Sequence, residues 1–384
     1  MGSLDSYAAV KLEELERRHL RRSLADTVRE DGIWVERNGR RLLSFSCNDY
    51  LNLTQHPKVK RAAIDAIERY GAGSGASRLV TGNHPLYADL ESRLAKIKDT
   101  EAAVVFGSGY LANSGIIPVL IGRDGLVLLD ELSHACIYAG AQLSRGKVLT
   151  FRHNDVAHAG ELLAAHRAEH DHALVVTDGV FSMDGDLAPL AGLLTLAQEH
   201  DAWLMSDDAH GLGVVGGGRG TSFIGGKHVE VPLQMGTLSK AIGAYGGYLC
   251  ASGAVIELMR NRARTLIYST GLPPAIVAAA IAALDIIEQD PDYAVLPVQK
   301  ARRFTRATNL PEAQSPIVPV VIGAEEETLA ASALLAEHGF LAAAIRPPSV
   351  PTGGARLRLT FTAQHPDEAI DRLASLVREK ILIH

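Results

Sequence analysis

Lys240 stands alone among small residues. In GTLSKAIG (236–243) it is the only charged side chain, and AYGGYL (244–249) follows without another. Small neighbours leave room beside an amine for a group that is not protein. A lysine withdrawn from water is also pushed toward the free base, the form that attacks carbonyls. A second capable stretch is SDDAHG (206–211). Neighbours on a strand point to opposite faces, so Asp207 and Asp208 should diverge. A carboxylate there can serve as a general base, a metal ligand, the partner of a protonated ring nitrogen, or a plain cap or surface group. His210 can donate a hydrogen bond into the same space or tie down the turn. A third stretch, GSGYLAN (107–113), opens a helix, and the free amides of Gly109 and Tyr110 can hold a phosphate or simply turn the chain.

The elements that must carry these residues are legible from about residue 100. AAVVF, LVLLD, ALVVTDGV and AWLMSDD are short apolar runs bounded by Gly, Asp or Ser, alternating with helical stretches such as LANSGIIPVLI and PLAGLLTLAQEH. Runs apolar on both faces and separated by helices predict a mostly parallel sheet flanked by helices, an α/β fold. After an apolar helix over 275–288, IVPVVIG, FLAAAIRPP and ARLRLTFT read as strands of a smaller α+β domain, with helices at ETLAASALLAEHG and HPDEAIDRLASLVREK. Residues 5–25 read as an exposed amphipathic helix that returns to this smaller domain. The expected division is an N-terminal segment 1–47, a large domain 48–285 and a C-terminal domain 286–384. In such sheets ligands sit beyond the C-terminal strand ends, which selects the loops 107–113, 131–134, 178–185, 207–211 and 237–240.

The 384 residues carry a net charge of −6 and no basic block, which argues against nucleic acid as main partner. Three cysteines, Cys47, Cys136 and Cys250, have no metal-type spacing and suit a reduced cytoplasmic protein. The N-terminal stretch lacks the apolar core of a secretory signal; Gly2 and Ser6 fit a loose myristoylation pattern with no second anchor nearby. The apolar run 275–284 is too short to cross a bilayer. GLGVVG (211–216) fits GxGxxG by letter, but GGRGTSF follows where a dinucleotide site needs a helix. His166, His170 and His172 read as a solvated helix end, and no metal is expected. Taken together, Lys240, Asp207, Gly109, Tyr110, Thr237 and Ser239 supply what a pyridoxal phosphate site needs: an amine, a carboxylate for the ring nitrogen, and a phosphate cradle.

Seven stretches in order, SCNDYLNL, GSGASRLVTGNHPLYADLE, DELSHAC, VFSMDGD, DDAHGLGV, GTLSKA and IYSTGLPP, closely resemble the α-oxoamine synthases. These are fold-type I pyridoxal phosphate transferases that join an amino acid to an acyl thioester with loss of carbon dioxide. The resemblance spans nearly the whole chain and implies a seven-stranded sheet. It assigns Lys240 the covalent cofactor linkage, Asp207 the pyridine nitrogen, His210 the ring's phenolic oxygen with Ser182 nearby, and His134 the ring face. Thr237, Gly109 and Tyr110 become cofactor or phosphate contacts. Arg358 holds the amino-acid carboxylate, while Arg21, Asn48, His134 and Ser349 contact substrate; the family's RPPTVP is RPPSVP here. Ser269 and Thr270 reach the phosphate of a neighbouring subunit, implying a homodimer. AIRPPSVPTGGARLRLT resembles the branch that condenses L-alanine with a pimeloyl thioester, carried on coenzyme A or an acyl-carrier protein. The alternatives are a glycine- or serine-using synthase and a catalytically silent partner subunit.

Overall fold

Valine- and leucine-rich runs form a seven-stranded sheet at the centre of the computed structural model, which describes residues 2–17, 20–22, 24–30 and 32–382. Its spatial order is Ala102–Phe106, Gly247–Ala251, Leu233–Thr237, Trp203–Asp207, Ala173–Asp178, Leu126–Asp130 and Lys147–Phe151. Only Gly247–Ala251 runs against its neighbours; Leu233–Thr237 through Lys147–Phe151 pair in parallel. Strand alternation divides the core in two. In Ala102–Phe106, Ala103 and Val105 pack with Leu90, Leu94, Val277 and Ala280 on one face. Val104 and Phe106 pack with Ile116, Ile117, Ile137 and Met259 on the other. Side chains buried on both faces are why these strands read as unbroken apolar runs.

A second body lies beyond the apolar helix Pro274–Gln289. Ile317–Gly323, Ala355–Thr360 and Ala343–Ile345 form an antiparallel sheet around the central Ala355–Thr360. Leu357 and Leu359 turn one face of that strand into a core shared with Leu43, Phe45, Phe304, Phe340 and Phe361. The early strand Arg40–Ser44 thus belongs to the same core as the C-terminal third of the chain. Arg356 and Arg358 leave by the opposite face, toward the large sheet.

Two local expectations change. FLAAAIRPP is not one strand: Phe340–Leu341 pairs in parallel with Arg40–Ser44, whereas Ala343–Ile345 pairs with Ala355–Thr360. The chain passes from one sheet to the other at Ala342. The N-terminal helix spans Ser3–Arg17 and buries none of its residues; residues 18, 19 and 23 of the expected 5–25 helix lie outside the described residues.

Candidate active site

Five strand ends converge on one cavity. Register sets Asp178 beside Asp207, and Asp207 beside Met235. The cavity, about 180 Å³, is lined by Lys240, Asp207, His210, His134, Gly109 and Thr237, together with Tyr110, Cys136, Asp178, Ala209 and Met235. Asp207 and Asp208 diverge as strand geometry requires. Asp207 faces the cavity, where Asn113 Nδ2 donates to its Oδ2 (2.7 Å) and the Ala209 amide to its Oδ1 (3.0 Å). Asp208 turns away to the fully buried Lys98 and accepts from Thr221 Oγ1 at 2.9 Å.

Lys240 Nζ lies 2.6 Å from His210 Nε2, and His210 Nδ1 lies 2.7 Å from the Tyr50 hydroxyl. Burial lowers the Lys240 pKa to about 8, with the Arg358 charge acting the same way and Asp207 opposing both. Burial first, then the charges of Lys240 and Arg358, hold His210 well below its ordinary value, so its ring is neutral. Burial pushes the Tyr50 hydroxyl up to about 12, leaving a neutral phenol between His210 and Asn48. The chain continues: Arg358 NH1 donates to Asn48 Oδ1 at 3.1 Å, and Arg358 Nε to the Ser182 carbonyl. The Lys240 amine and the Arg358 guanidinium are therefore joined through three residues, His210, Tyr50 and Asn48.

His134 caps the helix Ala135–Ser144, its Nδ1 accepting from the Cys136 amide at 3.2 Å. The proton of a neutral ring then sits on Nε2. Burial and Lys240 both favour that neutral form. The His134 amide donates to Asp178 (3.0 Å), whose carboxyl is raised well above the usual range by burial and by the Asp207 charge.

The group expected here can be tested against the cradle. Ser108 caps the helix Gly109–Leu120 by accepting from the Leu111 amide. The Gly109 and Tyr110 amides, in the first turn, have no intrahelical acceptor. A Cβ built on Gly109 would enter the space bounded by Met235 and Thr237, 3.5 Å from each. An amine held near neutrality, a buried carboxylate and an open helix N-terminus in one cavity fit pyridoxal phosphate. The small residues around Lys240 have a different origin from the one expected. Gly236 packs against the Tyr248 hydroxyl, Gly243 against the backbone of Leu53 and Thr54, and Gly247 against the backbone of Ser108. They let chain segments approach closely rather than making room for a ring. Thr237 Oγ1 is likewise tied into the loop, donating to the Gly246 carbonyl (2.6 Å), while Ser239 Oγ accepts from the Gly246 amide (3.3 Å).

Other expected residues lie apart from the cavity. Arg21 pairs with Glu16 at the surface, and it is Arg22 NH2 that meets Ser349 Oγ, at 3.4 Å. Ser269 and Thr270 line a different recess with Arg78 and Gly107, and Thr270 bridges Ser77. Ser182 meets the site through its carbonyl. Sequence reasoning gave no role to Tyr50, Asn113, Cys136 or Asp178. All four lie inside stretches quoted above, but the partners of Tyr50, Asn113 and Asp178 are 160, 94 and 44 residues away along the chain.

The aminotransferase class I and II family model matches residues 40–377. An 8-amino-7-oxononanoate synthase of Methylocella silvestris is 68% identical over 90% of this chain and 98% of its own. A serine palmitoyltransferase variant from S. paucimobilis, solved with a bound PLP–myriocin adduct, superposes with TM-score 0.91 at 27% identity, covering 99% of this chain and 98% of that one. An 8-amino-7-oxononanoate synthase structure from Francisella tularensis gives 0.75 at 25% identity, covering 88% and 98%.

Proposed function

The chain belongs to the aminotransferase class I and II family and, within it, to the α-oxoamine synthases, and from that premise we propose that it condenses L-alanine with a pimeloyl thioester. The products are 8-amino-7-oxononanoate, carbon dioxide and the free thiol, a step of biotin biosynthesis carried out in the cytoplasm. The observation that carries this reading is the cavity joining a near-neutral Lys240, a buried Asp207 and an open helix N-terminus, in a chain 68% identical to a relative of that name.

When bound, pyridoxal phosphate supplies an aldehyde for the amine and a ring that accepts the electron pair left at the amino acid's α-carbon. Lys240 would hold the cofactor covalently, and its near-neutral amine would take the α-proton of the amino acid and return one. Asp207, fixed by Asn113 and Ala209, would keep a proton on the ring nitrogen. His210, neutral and backed by Tyr50, would donate to the phenolic oxygen, with Ser182 nearby. His134, which lines the cavity, would cover the ring face. The amides of Gly109 and Tyr110 would hold the phosphate, with Thr237 and Ser239, tied into their loop, bounding it. Arg358 and Asn48 receive the amino-acid carboxylate. Ser349 and the arginine beside it, Arg22 by contact and Arg21 by resemblance, face the acyl substrate.

A homodimer is part of the proposal, with Ser269 and Thr270 reaching the partner's cofactor phosphate. Exposed Leu79, Val80 and Tyr268 beside these residues support it. The domain boundaries of the proposal are 47/48 and 285/286, the second falling in the last turn of the helix Pro274–Gln289 that leads into the smaller body. The acyl carrier is coenzyme A or an acyl-carrier protein.

Absorption spectra of the cofactor-loaded protein, titrated with L-alanine, glycine and L-serine, test this reading. A saturable change with L-alanine, followed by carbon dioxide release on adding pimeloyl-coenzyme A, is expected. A response to glycine or serine alone would assign a different substrate.

A further inference from the structure

The segment 180–187 is a small hairpin between the two bodies of the protein. Its base is closed by a backbone bridge between Val180 and Leu187 and by the Phe181 amide donating to the Asp186 carbonyl at 3.0 Å. Its turn is closed by the Gly185 amide donating to the Phe181 carbonyl at 2.8 Å. Gly185 has φ +77°, and a side chain there would strike the Ile317 carbonyl, so the turn is pressed against the smaller sheet. The tip is gripped by one strand: Arg356 reaches Asp184 and the Met183 carbonyl, and Arg358 Nε donates to the Ser182 carbonyl. The hairpin therefore occupies one edge of the Arg358 guanidinium, and Asn48 takes another donor.

What fixes the base is a residue outside the cavity. His153 sits between two carboxylates, with Nδ1 3.0 Å from Asp130 Oδ1 and Nε2 2.8 Å from Asp186 Oδ2. Its ring meets Phe181 edge-on, centroids 4.4 Å apart. Asn154 repeats the link, its amide donating to Asp130 (2.8 Å) and its Nδ2 to Asp186 (2.9 Å). Asp130 is fully buried at the end of a sheet strand, so the clamp ties the hairpin to the rigid sheet. The two carboxylates hold the ring protonated against its burial, with a pKa of about 10.

We propose that His153 and Asp186 are positioning residues for Arg358: they anchor the base of the 180–187 hairpin, whose Ser182 carbonyl sets the guanidinium that receives the amino-acid carboxylate. This rests on the proposed alanine-binding role of Arg358. A guanidinium turned away from its ligand weakens carboxylate recognition, while Lys240, Asp207 and the phosphate cradle, held by other loops, are untouched. A misdirected hydrogen bond to a charged group is worth about tenfold or more in affinity.

Asp186→Ala and Asp186→Asn test this in the cofactor-loaded protein, with L-alanine affinity read by absorption titration and cofactor affinity read separately by fluorescence. The expected result is a loss of about tenfold or more in L-alanine affinity for Asp186→Ala, with cofactor affinity, to which the hairpin adds only Ser182, reduced far less. Asp186→Asn, whose amide oxygen can still accept from His153 Nε2, should recover most of that loss. Unchanged alanine affinity in Asp186→Ala overturns the inference, as does an equal fall in cofactor and alanine affinity. Failure of the wild-type protein to bind L-alanine would instead overturn the functional reading.

Discussion

A fully buried lysine and a partly buried one lie on either side of one strand end and have opposite fates. Lys98 is completely buried, paired with Asp208 and donating to the Arg219 carbonyl at 2.8 Å. Lys240, beside Asp207, has a neutral imidazole as its nearest polar partner and no carboxylate in contact. Desolvation acts on both amines, but only Lys98 gains a contact ion pair in return. Lys240 is left with a pKa of about 8. The adjacent aspartates divide the work: Asp208 fixes structure, and Asp207 is held by Asn113 to face the cavity. Reactivity here comes from withholding a partner rather than from burial alone.

Removing each amine separates the two fates. Lys240→Ala should cut turnover by about 10³-fold or more and abolish covalent cofactor attachment, while thermal unfolding shows an unchanged or raised Tm. Lys98→Met should do the reverse. It leaves Asp208 buried without its cation, at a cost of about 3–5 kcal/mol in denaturant unfolding, and the protein that remains folded should keep its cofactor.

A pH series sharpens the contrast. Cofactor capture needs the neutral amine, whose fraction rises as pH rises through the folded pKa. With that value near 8, the capture rate of cofactor-free protein should climb about tenfold from pH 7 to 9 and level off. An amine at the ordinary lysine value would still be rising steeply there.

Much of this arrangement was legible in the chain. The fully buried strands announced themselves as apolar runs, and the C-terminal end rule placed Asp207, His210, His134 and Lys240 in neighbouring loops. Lys147–Phe151 was not visible because it is an edge strand, four of whose five residues are partly or fully exposed. Leu233–Thr237 and Gly247–Ala251 carry glycine and polar residues inside the sheet, and Gly236 is there to admit Tyr248, a contact no linear pattern reveals. The same limit hid Tyr50, whose partner His210 is 160 residues away. It also hid Asn113, which reaches Asp207 across 94.

The smallest expected effect concerns that hidden partner. Tyr50→Phe removes the hydroxyl behind His210 and keeps the ring, so kcat should fall about tenfold, roughly one hydrogen bond, with cofactor affinity and Tm little changed.

The central claim is that Lys240, and not its buried counterpart, carries the cofactor. Borohydride reduction of the loaded protein followed by peptide mass spectrometry tests it directly. The account predicts a single pyridoxyl label on the peptide containing Lys240 and none on that containing Lys98. A label on another lysine, or no label at all, would contradict it.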